Sequence, residues 1–376
     1  MSILNYWTIA ALVLGLAAFA PGIMGMFGLG GNKFLVKGKT VLLTGASEGM
    51  GKSVAIQLAK KGANVIIVAR NVGKLEKAMV EIKAAALSPS TQSFHYISAD
   101  VSISTEAARI LEEATKFNSS NPPDIVWCIA GTSTPGFFLD TTPQKLRTQM
   151  DINYWSCADM AHCVLKSWLS TPNPNAEKKD RHLIFTSSVL AFYSVVGYTP
   201  YSPTKAAIRS LSDTLYQEVL LYPNPPQIHT IFPGTIASPG LEIENQGKPE
   251  ITHLLEETDP IHTPDEVARN SISGLERGEY LITVGWLGSM MRACAWGGSR
   301  RGNWVLDTLV TWGTSVVWGF VGRDLDGKVR RWGAAKGFKR NLKIMLRRVC
   351  AKIGLSIGQT NIPGTVYNFQ ERSSCI

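Results

Sequence analysis

The residues with the clearest chemical meaning lie four apart. Tyr201 and Lys205, in Tyr201-Ser202-Pro203-Thr204-Lys205, share one face if the run is helical. A phenol with a pKa of about 10 exchanges protons poorly near neutral pH. An ammonium beside it stabilises the phenolate; lowering the pKa by about three units takes roughly 4 kcal/mol of differential interaction. Ser188 precedes Tyr201 by thirteen positions and closes Phe185-Thr186-Ser187-Ser188 at the end of a strand-like run. A hydroxyl there can hydrogen-bond a substrate carbonyl while Tyr201 gives the proton. Ser187 is the rival for that role, and the spacing favours Ser188.

A second motif suits a dinucleotide. Thr44-Gly45-Ala46-Ser47-Glu48-Gly49-Met50-Gly51 stands between a strand-like run and a helical one. Glycine lets backbone turn tightly and approach a ligand without a Cβ in the way. The helix that follows aims unpaired N–H groups at a pyrophosphate. Gly45, Ser47, Glu48, Gly49 and Gly51 are therefore cofactor candidates. The next strand-like run ends Val68-Ala69-Arg70. A site for NAD usually places an acid there, to hold ribose hydroxyls. A guanidinium suits a 2′-phosphate instead, so the expected cofactor is NADPH, with Ser47 and Lys74 assisting Arg70. Asp100 and Val101 end a further run and are placed to contact adenine.

These residues need a scaffold that brings strand ends together. Over residues 38–285, short β-branched runs alternate with longer helical patterns and no internal repeat is visible. Val41-Leu42-Leu43, Val65-Ile66-Ile67-Val68, Ile125-Val126-Trp127 and Leu183-Ile184-Phe185 read as buried parallel strands. Residues 52–61 and 72–85 read as helices. The alternation predicts an α/β fold, a doubly wound parallel sheet of Rossmann type. Residues 172–180 and 223–226 read as polar, Pro-containing loops.

Composition narrows the class. The chain has 376 residues, 38 Lys+Arg against 29 Asp+Glu, a net charge of +9 and 45% hydrophobic residues. That excludes a disordered chain. The six cysteines form no CxxC or Cys/His cluster, which argues against a metal site or a disulfide framework and for free thiols in a reducing compartment.

The ends point to a membrane. Residues 3–31 carry no charged side chain, and residues 7–29 are long enough to cross a hydrocarbon core. A cleaved signal is the rival, at Ala18-Phe19-Ala20. The lack of a basic leader and the presence of Pro21 favour an anchor. Lys33, Lys37 and Lys39 then place the following chain in the cytosol. Residues 304–322 are apolar apart from Asp307 and have basic flanks on both sides, which suits a re-entrant or interfacial segment. Residues 336–352 combine seven Lys/Arg with Leu342, Met345, Leu346 and Val349, as in a basic amphipathic helix on anionic headgroups; a solvated helix face is the alternative. Nucleic acid fits poorly, because the excess charge lies beside apolar segments. The expected organisation is an anchor at 1–32, a catalytic domain at 38–285 and a membrane-associated extension at 286–376.

The Thr44–Gly51 glycine pattern, the order Ser188, Tyr201, Lys205, and Pro233-Gly234-Thr235 after a late run together resemble the short-chain dehydrogenase/reductase family over residues 38–285. The resemblance implies that Asn153 is a fourth catalytic residue, holding a water that relays protons through Lys205. It implies that Lys205 grips the nicotinamide ribose beside Tyr201, and that Gly234 and Ile236 line the cofactor. Homo-oligomerisation through two long helices is implied as common in the family. One departure is Cys128-Ile129-Ala130-Gly131, where the family commonly has Asn-x-Ala-Gly; the missing amide is expected to loosen a structural hydrogen bond. Within the family, residues 238–252, with Pro239-Gly240, Glu244-Asn245 and Lys248-Pro249, resemble the substrate loop of the 3-ketodihydrosphingosine reductases. This narrower likeness implies NADPH-dependent reduction of the long-chain sphingoid ketone 3-ketosphinganine to sphinganine, on the cytosolic face of the endoplasmic reticulum. A lid role for the loop is expected. The rival readings are a membrane-bound reductase of ketoacyl, sterol or retinoid substrates, and a catalytically silent NADPH-binding scaffold.

Overall fold

The structure, a computed structural model, describes residues 31–169, 180–222, 224–295 and 302–335. Its strands are β1 (Thr40–Thr44), β2 (Asn64–Ala69), β3 (Phe94–Ser98), β4 (Ile125–Cys128), β5 (His182–Thr186), β6 (Gln227–Phe232), β7 (Thr235–Ile236), β8 (Ile261–His262) and β9 (Leu281–Thr283). Seven form one parallel sheet in the order β3-β2-β1-β4-β5-β6-β9. The helices are α1 (Gly49–Lys60), α2 (Val72–Ala84), α3 (Glu106–Phe117), α4 (Pro143–Met150), α5 (Ser156–Leu169), α6 (Ser202–Glu218), α7 (Pro239–Gly247), α8 (Glu250–Glu256), α9 (Pro264–Glu276), α10 (Trp286–Cys294) and α11 (Trp304–Ala335).

Both faces of the sheet are covered. Val54 and Leu58 of α1, Leu75 and Ile82 of α2, and Val267 and Leu275 of α9 pack on one face. Ile110 of α3, Met160 and Val164 of α5, and Ile208 of α6 pack on the other. A strand covered on both sides has no polar face, so β1, β4 and β5 are buried at every position, with apolar centres and, in β1 and β5, Thr or His only at the ends. Trp127 in β4 is the largest fully buried side chain, and its Nε1 donates to Thr186 Oγ1 at 3.0 Å. Removing that indole would cost about 3–5 kcal/mol and free a hydroxyl at the end of β5.

The order reverses between β1 and β4, which pair with each other while their crossovers leave on opposite sides. Such a reversal opens a crevice at the carboxyl ends of the strands. The expected parallel sheet and both expected helices are present, each helix within three residues of its expected bounds. Residue-level patterning missed the link between α4 and α5. There the chain makes a π-helical turn, Asp151–Trp155.

The chain divides into two units, residues 1–321 and 322–376; the described part of the second is the end of α11. In that part Lys328 pairs with Asp324 at 3.2 Å. The expected anchor at 7–29, the basic amphipathic segment at 336–352 and all but the last residue of the 172–180 loop lie outside the described residues. Among the described residues, no helix is long and apolar enough to cross a membrane. Residues 304–321 run as one helix, so the chain does not turn back within them. Thr311 donates to the Ala293 carbonyl of α10, while Leu306, Leu309, Trp312, Val317 and Phe320 are exposed.

Candidate active site

A cavity of about 600 Å³ lies at the carboxyl ends of the strands and is lined by both sequence motifs. That volume falls within the usual range for small-molecule sites. Gly45, Ser47, Glu48, Gly49, Gly51, Arg70, Lys74, Asp100 and Val101 line the cavity after β1, β2 and β3; Ser188, Tyr201, Lys205, Gly234 and Ile236 line it after β5 and β6.

The first end is built from backbone. Gly45 has φ +68°, and a Cβ there would lie 2.6 Å from Ala130 Cα. No other residue fits between β1 and β4 at this point. The residue before α1, Glu48, makes no side-chain cap, so the first-turn N–H groups are not spent on one. Arg70 is two-thirds exposed and stands 3.8 Å from Asp100; Lys74 Nζ lies 2.7 Å from Glu48. Burial pushes the Asp100 carboxyl up, but hydrogen bonds from Ser102 and the charge of Arg70 outweigh it and hold the pKa below its ordinary value. Arg70 and Lys74 stand at the cavity rim, where each can exchange its acid for a phosphate oxygen.

The departure at Cys128 has a local explanation. Thr44 Oγ1 accepts from the backbone of Ile129 at 3.1 Å and of Ala130 at 3.3 Å. The expected loosening is therefore absent, because a hydroxyl on β1 holds the end of β4. Cys128 is instead buried against Cys157 of α5.

At the other end the two serines separate. Ser187 donates to the Lys205 carbonyl at 2.8 Å and is wholly buried, so it fastens α6 to β5. Ser188 accepts from Leu190 N at 3.2 Å, and its hydrogen bond with Tyr201 pulls the phenol pKa down. Tyr201 immediately precedes α6, and Lys205 lies one turn in. Lys205 is buried; its Nζ donates to Thr186 O at 3.0 Å and sits 5.5 Å from the centre of the Tyr201 ring.

The protonation energetics differ from the expectation. Burial pushes the Tyr201 pKa well above the phenol range and the Glu244 carboxylate adds to it. The ammonium lies over the ring and spends a hydrogen on Thr186, so it does not offset the lost hydration. Burial also lowers Lys205, to about 8, against a smaller opposing pull from Cys157.

Asn153 is completely buried inside the π-helical turn. Its Oδ1 accepts from Thr132 N at 2.9 Å and its Nδ2 donates to Thr132 O at 3.0 Å. A Cβ on Gly131 would lie 2.8 Å from Asn153 Oδ1 and 3.2 Å from Lys205 Nζ. Asn153 and Lys205 thus converge on a position that tolerates no side chain. π turns of this kind are frequent at functional sites.

Residues 238–262 close over the cavity as α7 and α8, tied at their base by the pairing of β7 with β8. Ser238 caps α7, and Thr252 donates to Val196 O at 2.8 Å. Tyr198 donates to Glu244 Oε1 at 2.5 Å, and Lys248 reaches Glu244 at 3.2 Å and Glu256 at 2.7 Å. Sequence reasoning gave residues 238–252 a lid role but did not single out Tyr198 or Glu256. Their partners lie 46 and 8 positions away, and no local pattern marks the pairs.

Comparison with known proteins agrees with this geometry. Residues 39–248 match the family model described as short chain dehydrogenase. The chain belongs to the short-chain dehydrogenase family. It is 51% identical over 334 residues to the Neurospora crassa 3-ketodihydrosphingosine reductase gsl-3, covering 88% of this chain and 91% of that one. It is 49% identical over 327 residues to the Aspergillus fumigatus 3-ketodihydrosphingosine reductase ksrA, covering 83% and 89%. Among solved structures, the fold of this short-chain dehydrogenase is similar to one from Sphingobium yanoikuyae in complex with NADPH, with TM-score 0.55, 20% identity and coverage of 66% and 88%. It is also similar to one from Burkholderia phymatum in complex with NAD, with TM-score 0.59, 17% identity and coverage of 69% and 94%.

Proposed function

We propose that this short-chain dehydrogenase reduces 3-ketosphinganine to sphinganine with NADPH. The observation that carries the reading is one cavity holding the Ser188–Tyr201 pair at one end and the Gly45 cradle with Arg70 and Lys74 at the other. The relatives named 3-ketodihydrosphingosine reductase, aligned over most of this chain, support the substrate. The close approach of Gly45 to Ala130 fits a dinucleotide, and the two rim cations fit its 2′-phosphate. When bound, NADPH supplies the hydride that goes to the ketone carbon.

The protein's own residues then handle the oxygen. Ser188 accepts from Leu190 N, and its one O–H, which is shared with the Tyr201 oxygen in the free enzyme, turns to polarise the substrate carbonyl. Tyr201 gives its proton to the developing alkoxide, a stronger base than the phenolate left behind, so even a raised phenol pKa allows transfer. Lys205 is cationic at neutral pH, where its pKa of about 8 leaves it ready to return a proton. Asn153, fixed by Thr132, orients that return path.

Localisation belongs to the same reading: the cytosolic face of the endoplasmic reticulum, with residues 7–29 as anchor. The exposed apolar side of α11 supports lateral access of a bilayer-dissolved substrate. Self-association, common in the family, is also part of it. The test is a product assay with purified protein, NADPH and 3-ketosphinganine, run beside a ketoacyl-CoA and a ketosteroid. Sphinganine as the preferred product is expected; preference for either other ketone would redirect the assignment.

A further inference from the structure

Glu244 occupies an unusual place for a carboxylate. It lines the cavity that holds Tyr201, and its charge is felt at the Tyr201 hydroxyl. A fixed anion beside a proton donor opposes formation of the phenolate, so it hinders the reduction of a neutral ketone. Locking the lid does not require it. Lys248 already joins α7 to α8 through Glu256 at 2.7 Å, and Thr252 pins α8 to Val196. Glu244 is nevertheless held in place by Tyr198 and, at 3.2 Å, by Lys248, both on Oε1. The Lys248 side chain is only 4% exposed and is shared between two glutamates. Two carboxylates against one ammonium leave an excess negative charge on this wall, and Asp259 lies on the same wall. The ring of Tyr198, which holds Glu244, lies 6.1 Å from that of Tyr201 and is tilted 52° to it.

The hindrance disappears if the substrate brings its own cation. We propose that Glu244 is the specificity-determining residue that receives the ammonium on the carbon next to the substrate ketone, with Tyr198 and Lys248 positioning it. This rests on the sphingoid-ketone reading above. In that substrate the ammonium nitrogen is two bonds from the reacting carbon, so a carboxylate beside Tyr201 meets it when the carbonyl reaches the phenol. Pairing cancels the field that Glu244 exerts on Tyr201. A neutral ketone receives the unfavourable field and no ion pair, so the same carboxylate selects for one substrate and against the other.

The experiment compares kcat/KM for 3-ketosphinganine with that for 1-hydroxyoctadecan-3-one, which lacks only the amine. Wild-type protein is expected to prefer the amine by at least tenfold. Glu244→Gln keeps an acceptor for Tyr198 and removes the charge. It is expected to bring the ratio close to one, by a loss on the amine substrate with the neutral ketone unchanged or faster, and with NADPH affinity unchanged. Equal losses on both substrates, or an unchanged ratio, would overturn the assignment. The wild-type ratio decides even if the variant does not fold: reduction of both ketones at equal efficiency removes the Glu244 role and leaves the function standing. Reduction of the neutral ketone alone, or of neither, removes the proposed function and this inference with it.

Discussion

The two ends of the cavity are built from different materials. The end around Gly45 is backbone: a strand end, a tight turn and the first turn of α1, with Arg70 and Lys74 at the rim. The end under α7 and α8 is side chains: two tyrosines, a lysine and a set of acids drawn from segments far apart in sequence. Backbone can serve any dinucleotide, because it meets phosphate and ribose that all of them share. Side chains, by contrast, can be matched to one ketone. The division explains why folds at 17–20% identity keep the same scaffold, whereas identity near 50% comes with relatives that share one reductase name.

The sharpest way to separate the ends is to remove the chemistry between them. Tyr201→Phe is expected to lower turnover by at least about 10³-fold while NADPH affinity, followed by fluorescence titration, stays within about twofold. A matching loss of NADPH affinity would mean that the ends are not independent.

Next in size is a pH effect. Lys205 is cationic below its pKa of about 8 and neutral above it. If the cation is needed for proton return, kcat/KM falls by about tenfold per pH unit above 8. Stability moves the other way. Because the folded pKa lies below the unfolded value of about 10.4, the unfolded chain binds more protons between the two, and stability rises as pH goes from about 8 to about 10. Thermal unfolding that rises while activity falls over this window is the expected signature, and Lys205→Met should flatten the stability limb.

The smallest effect belongs to the rim. Arg70→Ala is expected to raise the dissociation constant of NADPH about tenfold, that of NADH by less than twofold, and the KM for the ketone not at all. Equal weakening of both dinucleotides would show that Arg70 does not read the 2′-phosphate.

These contrasts also account for what could be read from the chain. β1, the glycine turn and α1 are contiguous, so motif and structure coincide over Thr40–Lys60. Tyr201 and Lys205 are one helical turn apart, and their shared location was legible for the same reason. The pKa direction of Tyr201 was not. It depends on burial by distant elements and on Glu244, 43 positions on. The compensation for Cys128 was hidden too, since the hydroxyl that accepts from Ile129 and Ala130 belongs to Thr44 on a different strand. Gly131 matters only because Asn153 and Lys205 arrive beside it from two other elements.

The π-helical turn at Asp151–Trp155 carries a last consequence. It is the one place between Pro143 and Leu169 where the regular 3.6-residue winding is interrupted, and it is where Asn153 enters the interior. Excising a single residue there would heal the winding and give a sturdier rod, but would swing the amide by about 100° away from Thr132. Robustness and turnover therefore compete at this one insertion, and a selection for heat tolerance alone would erase it.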